Sequence, residues 1–313
     1  MKKIGIITKL HDPEALAATA SLAHWLKVRG LSVAISRETG EIADIPESTA
    51  SRHSRETLPE GSGLLVVIGG DGTFIAAARA AGGRDIPLFG INMGRLGFLT
   101  EVPLAEMFNA MEDALAGRYV VEERVMLTAR VIRDGVEVLH NRVLNDVVVH
   151  KGALARMIEL EVTVDGQFVF SSRADGLIVA TPTGSTAYAL SSGGPIIHPK
   201  LDAILMVPIS PHTLSNRPIA MPGDGKIKVG LRNTEEQQEF LITMDGQKGF
   251  ELQTGDEILI RKSRKRLKLM HAPDRNYYDI LRQKLRWGEP AELKPPRPPR
   301  PAPPPPPLPP APG

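Results

Sequence analysis

The sequence predicts an α/β fold in its first part, built on a doubly wound parallel sheet, followed by a mostly antiparallel β region. Three observations predict it. Residues 1–118 alternate short apolar runs with segments of helical period, the pattern of a parallel sheet covered by helices. From Tyr119 to about residue 270 helical period is nearly absent and two-residue alternation takes over. Asp-Gly pairs at 134–135, 165–166 and 245–246 sit between strand-like runs, a hairpin signal. The chain therefore divides into 1–118, 119–270, a segment 271–293 expected to pack back on the fold through a short helix at 276–287, and a tail, 294–313. From Pro295 onward 13 of 19 residues are proline, so the tail is expected to be disordered and to build no core.

The first strand is Ile4-Gly5-Ile6-Ile7. Asp12 and Pro13 stand where an N-cap and a first helical residue belong. Leu16, Ala20, Ala23 and Lys27 share one helical face, with Leu22 and Leu26 beside it, and Gly30 stops the helix. Residues 31–36 make a second strand. Residues 37–62, polar and broken by Gly40, Pro46, Pro59 and Gly61, read as a loop with some helix. The third strand, 64–68, is wholly apolar and runs into Gly69-Gly70-Asp71-Gly72-Thr73, after which an Ala-rich helical segment closes at Gly82-Gly83. Residues 87–92 form a fourth strand, ending at Asn92 in the turn Met93-Gly94-Arg95-Leu96-Gly97-Phe98. Leu104, Met107, Phe108, Met111 and Leu115 keep helical spacing up to Gly117. In the second part, 157–164 alternates for eight residues, Asp165-Gly166 turns the chain, and 167–170 returns. The basic run 261–268 reads as a charged sheet edge that blocks strand addition.

Three stretches carry chemistry. At Gly69-Gly70-Asp71-Gly72-Thr73 a strand stops in a glycine turn that bares backbone N–H groups beside the positive end of a helix, which suits a phosphate. Asp71 is the odd residue there. It caps the helix, or it meets phosphate through Mg²⁺, or it takes a proton away. The turn is neither a Walker A loop nor a dinucleotide fingerprint. The second stretch, 173–195, empties a strand into a hydroxyl-rich bend containing Thr181, Thr183, Gly184, Ser185 and Thr186. Such a bend either satisfies itself or offers donors and acceptors to a base and a ribose. The third is Asn145-Asp146, set between Arg142-Val143-Leu144 and Val147-Val148-Val149. Its amide and carboxylate satisfy each other at a strand end or hold two ribose hydroxyls.

Composition closes off other classes. Hydrophobic content of 42% and charge of 24% describe a globular protein. The net charge of +2 comes from Lys294, Arg297 and Arg300 in the tail, so the rest is about neutral and no nucleic-acid partner is expected. Aromatics at 4% are too few for base-stacking platforms. There is no cysteine, the eight histidines show no metal-ligand spacing, and no Gly-x-Ser-x-Gly elbow occurs. No apolar run approaches the ~20 residues that cross a bilayer, and the first strand is too short for a signal-peptide core, so a cytoplasmic protein without membrane contact is expected.

Taken together, Gly69-Gly70-Asp71-Gly72-Thr73, Asn92-x-Gly94-x-x-Gly97-Phe98-Leu99, Asn145-Asp146, the run 173–197, Leu214-Ser215-Asn216-Arg217-Pro218-Ile219 and Met244-Asp245-Gly246-Gln247 resemble the NAD kinase family over residues 1–290 or so. The resemblance implies a β-sandwich for the second part, NAD bound in a cleft between the two, and ATP, carried with Mg²⁺, phosphorylating the 2′-hydroxyl of the adenosine ribose to give NADP. It implies a phosphate cradle at Gly70, Gly72 and Thr73, with Asn92 following, and Asp71 as general base. NAD is then held by Asn145 and Asp146, with Arg173, Asp175 and the turn of Thr183, Thr186, Ala187, Tyr188, Ala189, Leu190 and Ser191 around adenine and the second nucleoside. Arg156 takes the place of a basic ligand-side residue. The resemblance further implies a homo-oligomer, dimer or tetramer, whose site is completed between subunits through Asp245 and Gln247, although Asp-Gly also closes ordinary hairpins. Asp146 departs from the family, which more often shows glutamate there. Two rival readings stand beside this one: a kinase with the same glycine turn acting on a lipid or sugar phosphate, and a regulator that senses NAD(H) without catalysis.

Overall fold

The computed structural model describes residues 3–94, 96–152, 157–213, 215–232, 240–246 and 249–287. Arg156, Gln247 and the tail 294–313 lie outside the described residues. The chain forms two compact units, Met1–Arg275 and Asn276–Gly313. In the smaller one a helix, Tyr277–Leu285, is capped by Asn276, whose Oδ1 accepts from the Tyr278 amide at 3.0 Å.

The larger unit opens with β1 (Lys3–Thr8), α1 (Pro13–Val28), β2 (Ser32–Ser36), α2 (Arg37–Ile42), β3 (Ser51–His53), β4 (Leu64–Gly69), α3 (Asp71–Ala81), β5 (Pro87–Asn92), β6 (Val102–Pro103), α4 (Met107–Leu115) and β7 (Val120–Arg124). Strands β3-β2-β1-β4-β5 lie side by side, all parallel. Period-two alternation sends Ile4, Ile6, Val66 and Ile68 to one face, under Leu22 and Leu26 of α1 and Met107 and Met111 of α4. Leu65 and Val67 go to the other face, under Phe74, Ala77 and Ala78 of α3. With helices on both faces, the sheet is doubly wound as predicted. Residues 37–62 are more ordered than their polarity indicates: the Ser36 hydroxyl caps α2, and β3 adds an edge strand to β2.

The chain continues as β8 (Leu127–Arg133), β9 (Val136–Val143), β10 (Asp146–Lys151), β11 (Ile158–Val164), β12 (Gln167–Ala174), β13 (Gly176–Ala180), α5 (Tyr188–Ser191), β14 (Ala203–Ile209), β15 (Ile219–Pro222), β16 (Ile227–Arg232), β17 (Phe240–Met244), β18 (Phe250–Leu252), β19 (Glu257–Lys262) and β20 (Leu267–His271). Two antiparallel sheets result, β12-β11-β16-β19-β8-β9 and β15-β14-β13-β10-β17-β18. They enclose one core, in which Val131, Val162 and Ile258 of the first meet Val147, Leu177 and Met206 of the second. This is a β-sandwich. All three Asp-Gly pairs turn the chain with positive φ at both residues, beginning at +51° for Asp134, +50° for Asp165 and +52° for Asp245.

Two sequence expectations differ from the structure. The limits 119–270 enclose β7 and most of β20, yet both strands hydrogen-bond into the first sheet, β20 lying between β5 and β7. The chain thus ends its sandwich by returning to where it began. The basic run 261–268 is no sheet edge, because β19 and β20 are both interior strands. Its charges lie on the crossover between sheets and find acids, as in Lys262–Asp202, Arg266–Glu123 and Lys268–Asp85.

Candidate active site

β4 is buried along its whole length and ends at Gly69, opposite Asn92 at the end of β5. Gly70 is the N-cap of α3 and offers no side chain, so Asp71 is the first helical residue rather than the cap. Its carboxylate instead reaches across to the loop after β5. Oδ1 accepts from the amides of Leu99 (3.0 Å) and Thr100 (3.3 Å) and from the Thr100 hydroxyl (3.4 Å), and Oδ2 accepts from the Phe98 amide (2.9 Å). Oδ1 is crowded, while Oδ2 takes a single bond and keeps lone-pair room. Asn92 folds the same loop, donating to the Thr100 carbonyl (2.9 Å) and accepting from the Gly94 amide (2.6 Å). Gly97 is required by this close approach, since a Cβ there would run into Asp71 Oδ1.

Strand order reverses between β1 and β4, and open α/β sheets leave a ligand crevice beyond the carboxyl ends at such a point. A cavity of about 270 Å³ lies there, lined by Thr8 at the end of β1 with Lys9 and His11 after it, Ser36 at the end of β2 with Thr39 after it, Arg55, and Gly72, Thr73, Ala76 and Ala80 along α3. Gly72 and Thr73 were read from the glycine turn. Lys9, His11 and Arg55 were not, because single cations in polar loops leave no spacing to recognise.

The strand that Asn145-Asp146 was expected to interrupt is two strands. β9 belongs to one sheet of the sandwich and β10 to the other, and Leu144 and Asn145 make the corner between them. Three groups hold that corner. The Asp245 carboxylate accepts from the amides of Leu144 (2.9 Å), Asn145 (2.7 Å) and Asp146 (3.2 Å). The Thr181 hydroxyl donates to the Leu144 carbonyl (2.6 Å) and accepts from the Gly184 amide (3.0 Å). Gly184 lies against the Asn145 carbonyl, where a Cβ would clash. The two side chains at the corner do not satisfy each other: Asn145 Oδ1 is buried with no hydrogen-bond partner. Asp146 is 4% exposed, and its pKa is pushed up to about 7, first by burial and then by the neighbouring Asp245 carboxylate. Burial raises Asp245 as well, opposed by its three amide bonds and by Arg79 of α3.

The hydroxyl-rich bend mostly satisfies itself. Ser185 bonds the Pro182 carbonyl and the Ile197 amide, and Thr186 bonds the Thr183 carbonyl. The Thr183 side chain is nearly buried and makes no such bond among the described residues. Ala189 is fully buried in a small core with Val148 and Ile178, whereas Ala187 and Leu190 are half-buried and Tyr188 and Ser191 exposed. Tyr188 lines a second depression with Lys151 and Asp175, which are ion-paired at 2.9 Å. Asp175 precedes β13 and Lys151 ends β10, so this pair lies at the opposite end of the β10–β13 ladder from Asp146, roughly 17 Å away at ~3.4 Å per residue. Arg173 is exposed on the outer face of the other sheet, opposite Glu159. The structure thus joins Asp71 to Asn92, and Asn145 and Asp146 to Asp245 and the bend, while Asp175 and Tyr188 form a separate group with Lys151.

Comparison with known proteins gives one answer. Residues 4–119 match the model of the ATP-NAD kinase N-terminal domain, and residues 144–272 that of the ATP-NAD kinase C-terminal domain. An NAD kinase of Magnetococcus marinus is 55% identical over 294 residues, spanning 94% of this chain and 96% of the relative. An NAD kinase of Geobacter sulfurreducens is 45% identical over 291 residues, spanning 92% and 100%. Among solved structures, an NAD kinase from Archaeoglobus fulgidus in complex with ATP aligns with a TM-score of 0.70 at 26% identity, over 90% of this chain and 97% of that one. Yeast NADH kinase complexed with NADH shares the fold, with a TM-score of 0.87 at 24% identity over 94% and 89% of the two chains. Matched at both ends by the family's models and along most of its length by its relatives, the chain belongs to the NAD kinase family.

Proposed function

We propose that the protein transfers the terminal phosphoryl group of ATP to the 2′-hydroxyl of the adenosine ribose of NAD, giving NADP. The observation that carries this reading is Asp71: a carboxylate fixed by amides at the mouth of a phosphate-suited glycine turn, with Oδ2 taking only the Phe98 amide and keeping lone-pair room. A ribose hydroxyl is a poor nucleophile near neutral pH. As its oxygen bonds to phosphorus and the bond to the ADP oxygen breaks, its proton passes to Asp71 Oδ2. Such a base contributes ~10²–10⁴-fold. The negative charge spread over the transferring group faces the amides of Gly70, Gly72 and Thr73 at the positive end of α3.

NAD is held at the sandwich corner. The unpartnered Asn145 Oδ1 accepts from a ribose hydroxyl, and the Asp146 carboxyl takes the neighbouring one. Asp175, Tyr188 and Lys151, roughly 17 Å along the ladder, suit the second nucleoside of an extended dinucleotide. The cavity at the switch point, with Lys9, His11 and Arg55, receives the donor phosphates. Among the described residues no cluster of three or more His, Asp or Glu side chains could hold a metal ion alone. Mg²⁺ carried with ATP would supply charge neutralisation on the phosphates. Among the described residues no helix is long and apolar enough to cross a membrane. A cytoplasmic homo-oligomer, dimer or tetramer, with an α/β donor domain and a sandwich NAD domain, completes the proposal.

The test is a matrix of NAD or NADH against ATP or polyphosphate, with Mg²⁺, read as NADP(H) formed by the wild type and by Asp71→Asn. The expected result is turnover by the wild type and a loss of ~10²–10⁴-fold in the variant, with NAD affinity retained. Binding of NAD without turnover in any combination identifies a sensor instead. Near-wild-type turnover by Asp71→Asn removes Asp71 from the base role.

A further inference from the structure

Behind the loop that holds Asp71 lies a buried ion pair that none of the motifs includes. Arg275 follows β20 and is the last residue of the larger unit. Its side chain is 6% exposed, and its Nε lies 2.8 Å from Oε2 of Glu101, itself 13% exposed. The contact is an ion pair by distance and charge, not an aligned hydrogen bond, for Nε and Nη1 are buried without hydrogen-bond partners among the described residues. The other Glu101 oxygen accepts from the Ala272 amide at 2.9 Å, so the carboxylate is anchored at both ends. The guanidinium, drawn to Glu101 by charge, donates through Nη2 to the Phe98 carbonyl at 2.6 Å. That carbonyl belongs to the peptide whose N–H, on Leu99, donates to Asp71 Oδ1 at 3.0 Å. One planar peptide unit thus carries a cation on its oxygen and the Asp71 carboxylate on its hydrogen.

We propose that Arg275, oriented by Glu101, is a positioning residue for the phosphoryl-transfer step, acting on Asp71 through the Phe98–Leu99 peptide. Two physical effects follow from the geometry. A peptide is rigid, so fixing its oxygen fixes the direction of its N–H, and with it the Asp71 oxygen it holds. A cation on the carbonyl also polarises the N–H and strengthens its bond to the carboxylate, as happens along chains of hydrogen bonds in a low-dielectric setting. Both leave Oδ2 aimed where the nucleophile arrives. An arginine is suited to this position because one nitrogen can meet Glu101 while another meets the carbonyl. Lysine offers a single point charge. The inference rests on the reading of Asp71 as the base.

The test uses the full chain and the variants Arg275→Met, Arg275→Lys, Glu101→Gln and Asp71→Asn, with kcat and KM for NAD and ATP measured for each. Arg275→Met is expected to lower kcat by ~10–100-fold, an amount within what a general base contributes, while both KM values move less than about twofold. Arg275→Lys is expected to recover part of the loss, and Glu101→Gln to lower kcat by several-fold only. In the Asp71→Asn background Arg275→Met is expected to cost nothing further, because the two act as one unit. If Arg275→Met does not fold, Arg275→Lys and Glu101→Gln in the two backgrounds decide the matter by the same non-additivity. Losses that multiply with Asp71→Asn, or a rise in KM at constant kcat, overturn the proposal and leave the pair a purely structural tie. An inactive Asp71→Asn beside a fully active Arg275→Met sinks this inference alone. A fully active Asp71→Asn sinks the base reading and this inference with it.

Discussion

At the scale of the residue, Asp146 and Asp245 are the pair whose chemistry is least ordinary. Two carboxyls share a buried corner, and among the described residues only Asp245 has donors. Its three amides come from the segment that carries Asp146, so one acid builds the place in which the other is buried. The consequence for stability has a definite sign. Between the ordinary carboxylate value and about 7, folded Asp146 keeps a proton that the unfolded chain has released. More protons bound in the folded state means that stability falls as pH rises through that window, and stays lowered above it. Asp146→Asn removes the titration. Melting temperatures of wild type and variant are therefore expected to diverge in the variant's favour from about pH 4 to 7 and to run parallel above. Parallel curves throughout show that the carboxyl ionises without cost where it stands. The residue types at this corner were legible in the sequence, since an amide next to a carboxylate inside an apolar run is conspicuous. Their state was not, because burial and the approach of Asp245 come from a residue about a hundred positions away.

At the scale of the element, the reading from sequence succeeded where a local rule decides. Apolar run, glycine turn and Ala-rich helix gave β4 and α3, and Asp-Gly gave three turns. It missed where pairing is non-local. Within 37–62, expected as a loop with some helix, the edge strand β3 formed because β2 offered an open edge, and β20 returned to β5 because its Leu267 and Leu269 complete the core under α3. The hydroxyl-rich bend shows the same division. Its hydroxyls were visible, but Ser185 and Thr186 serve the bend itself, and what the bend builds is the support for Asn145. That support can be tested at Gly184, whose missing Cβ admits the Asn145 carbonyl. The clash in Gly184→Ala is with backbone, which cannot swing aside. Overpacking of this kind costs ~1–3 kcal/mol. The variant is expected to melt several degrees lower and to show a raised KM for NAD, since the displaced segment carries Asn145 and Asp146. An unchanged KM with a lowered melting temperature separates the bend from NAD binding.

At the scale of the whole molecule, the question is how many chains make one site. The resemblance to the family implies that Asp245 reaches the NAD of a neighbouring subunit, and a closed homo-oligomer repeats any such contact by symmetry. In this chain the Asp245 carboxylate is committed inward, with Oδ1 and Oδ2 together accepting three amides of its own strand junction. Reaching a neighbour means giving up bonds to groups that are buried, and a buried N–H left unpaired costs ~1–3 kcal/mol. We therefore expect Asp245 to act within its own subunit, by shaping the corner that holds Asn145 and Asp146. The experiment mixes Asp71→Asn with Asp245→Ala after subunit exchange has been demonstrated with two tagged copies. Asp245→Ala alone is expected to raise the KM for NAD by ~10-fold or more, as three freed amides let the corner shift. If each site draws Asp71 and Asp245 from one chain, no mixed oligomer contains a better site than its parents and activity stays at their average. If Asp245 serves the neighbour, an oligomer holding both variants contains sites with the two carboxylates intact, and activity rises above that average in proportion to the exchange.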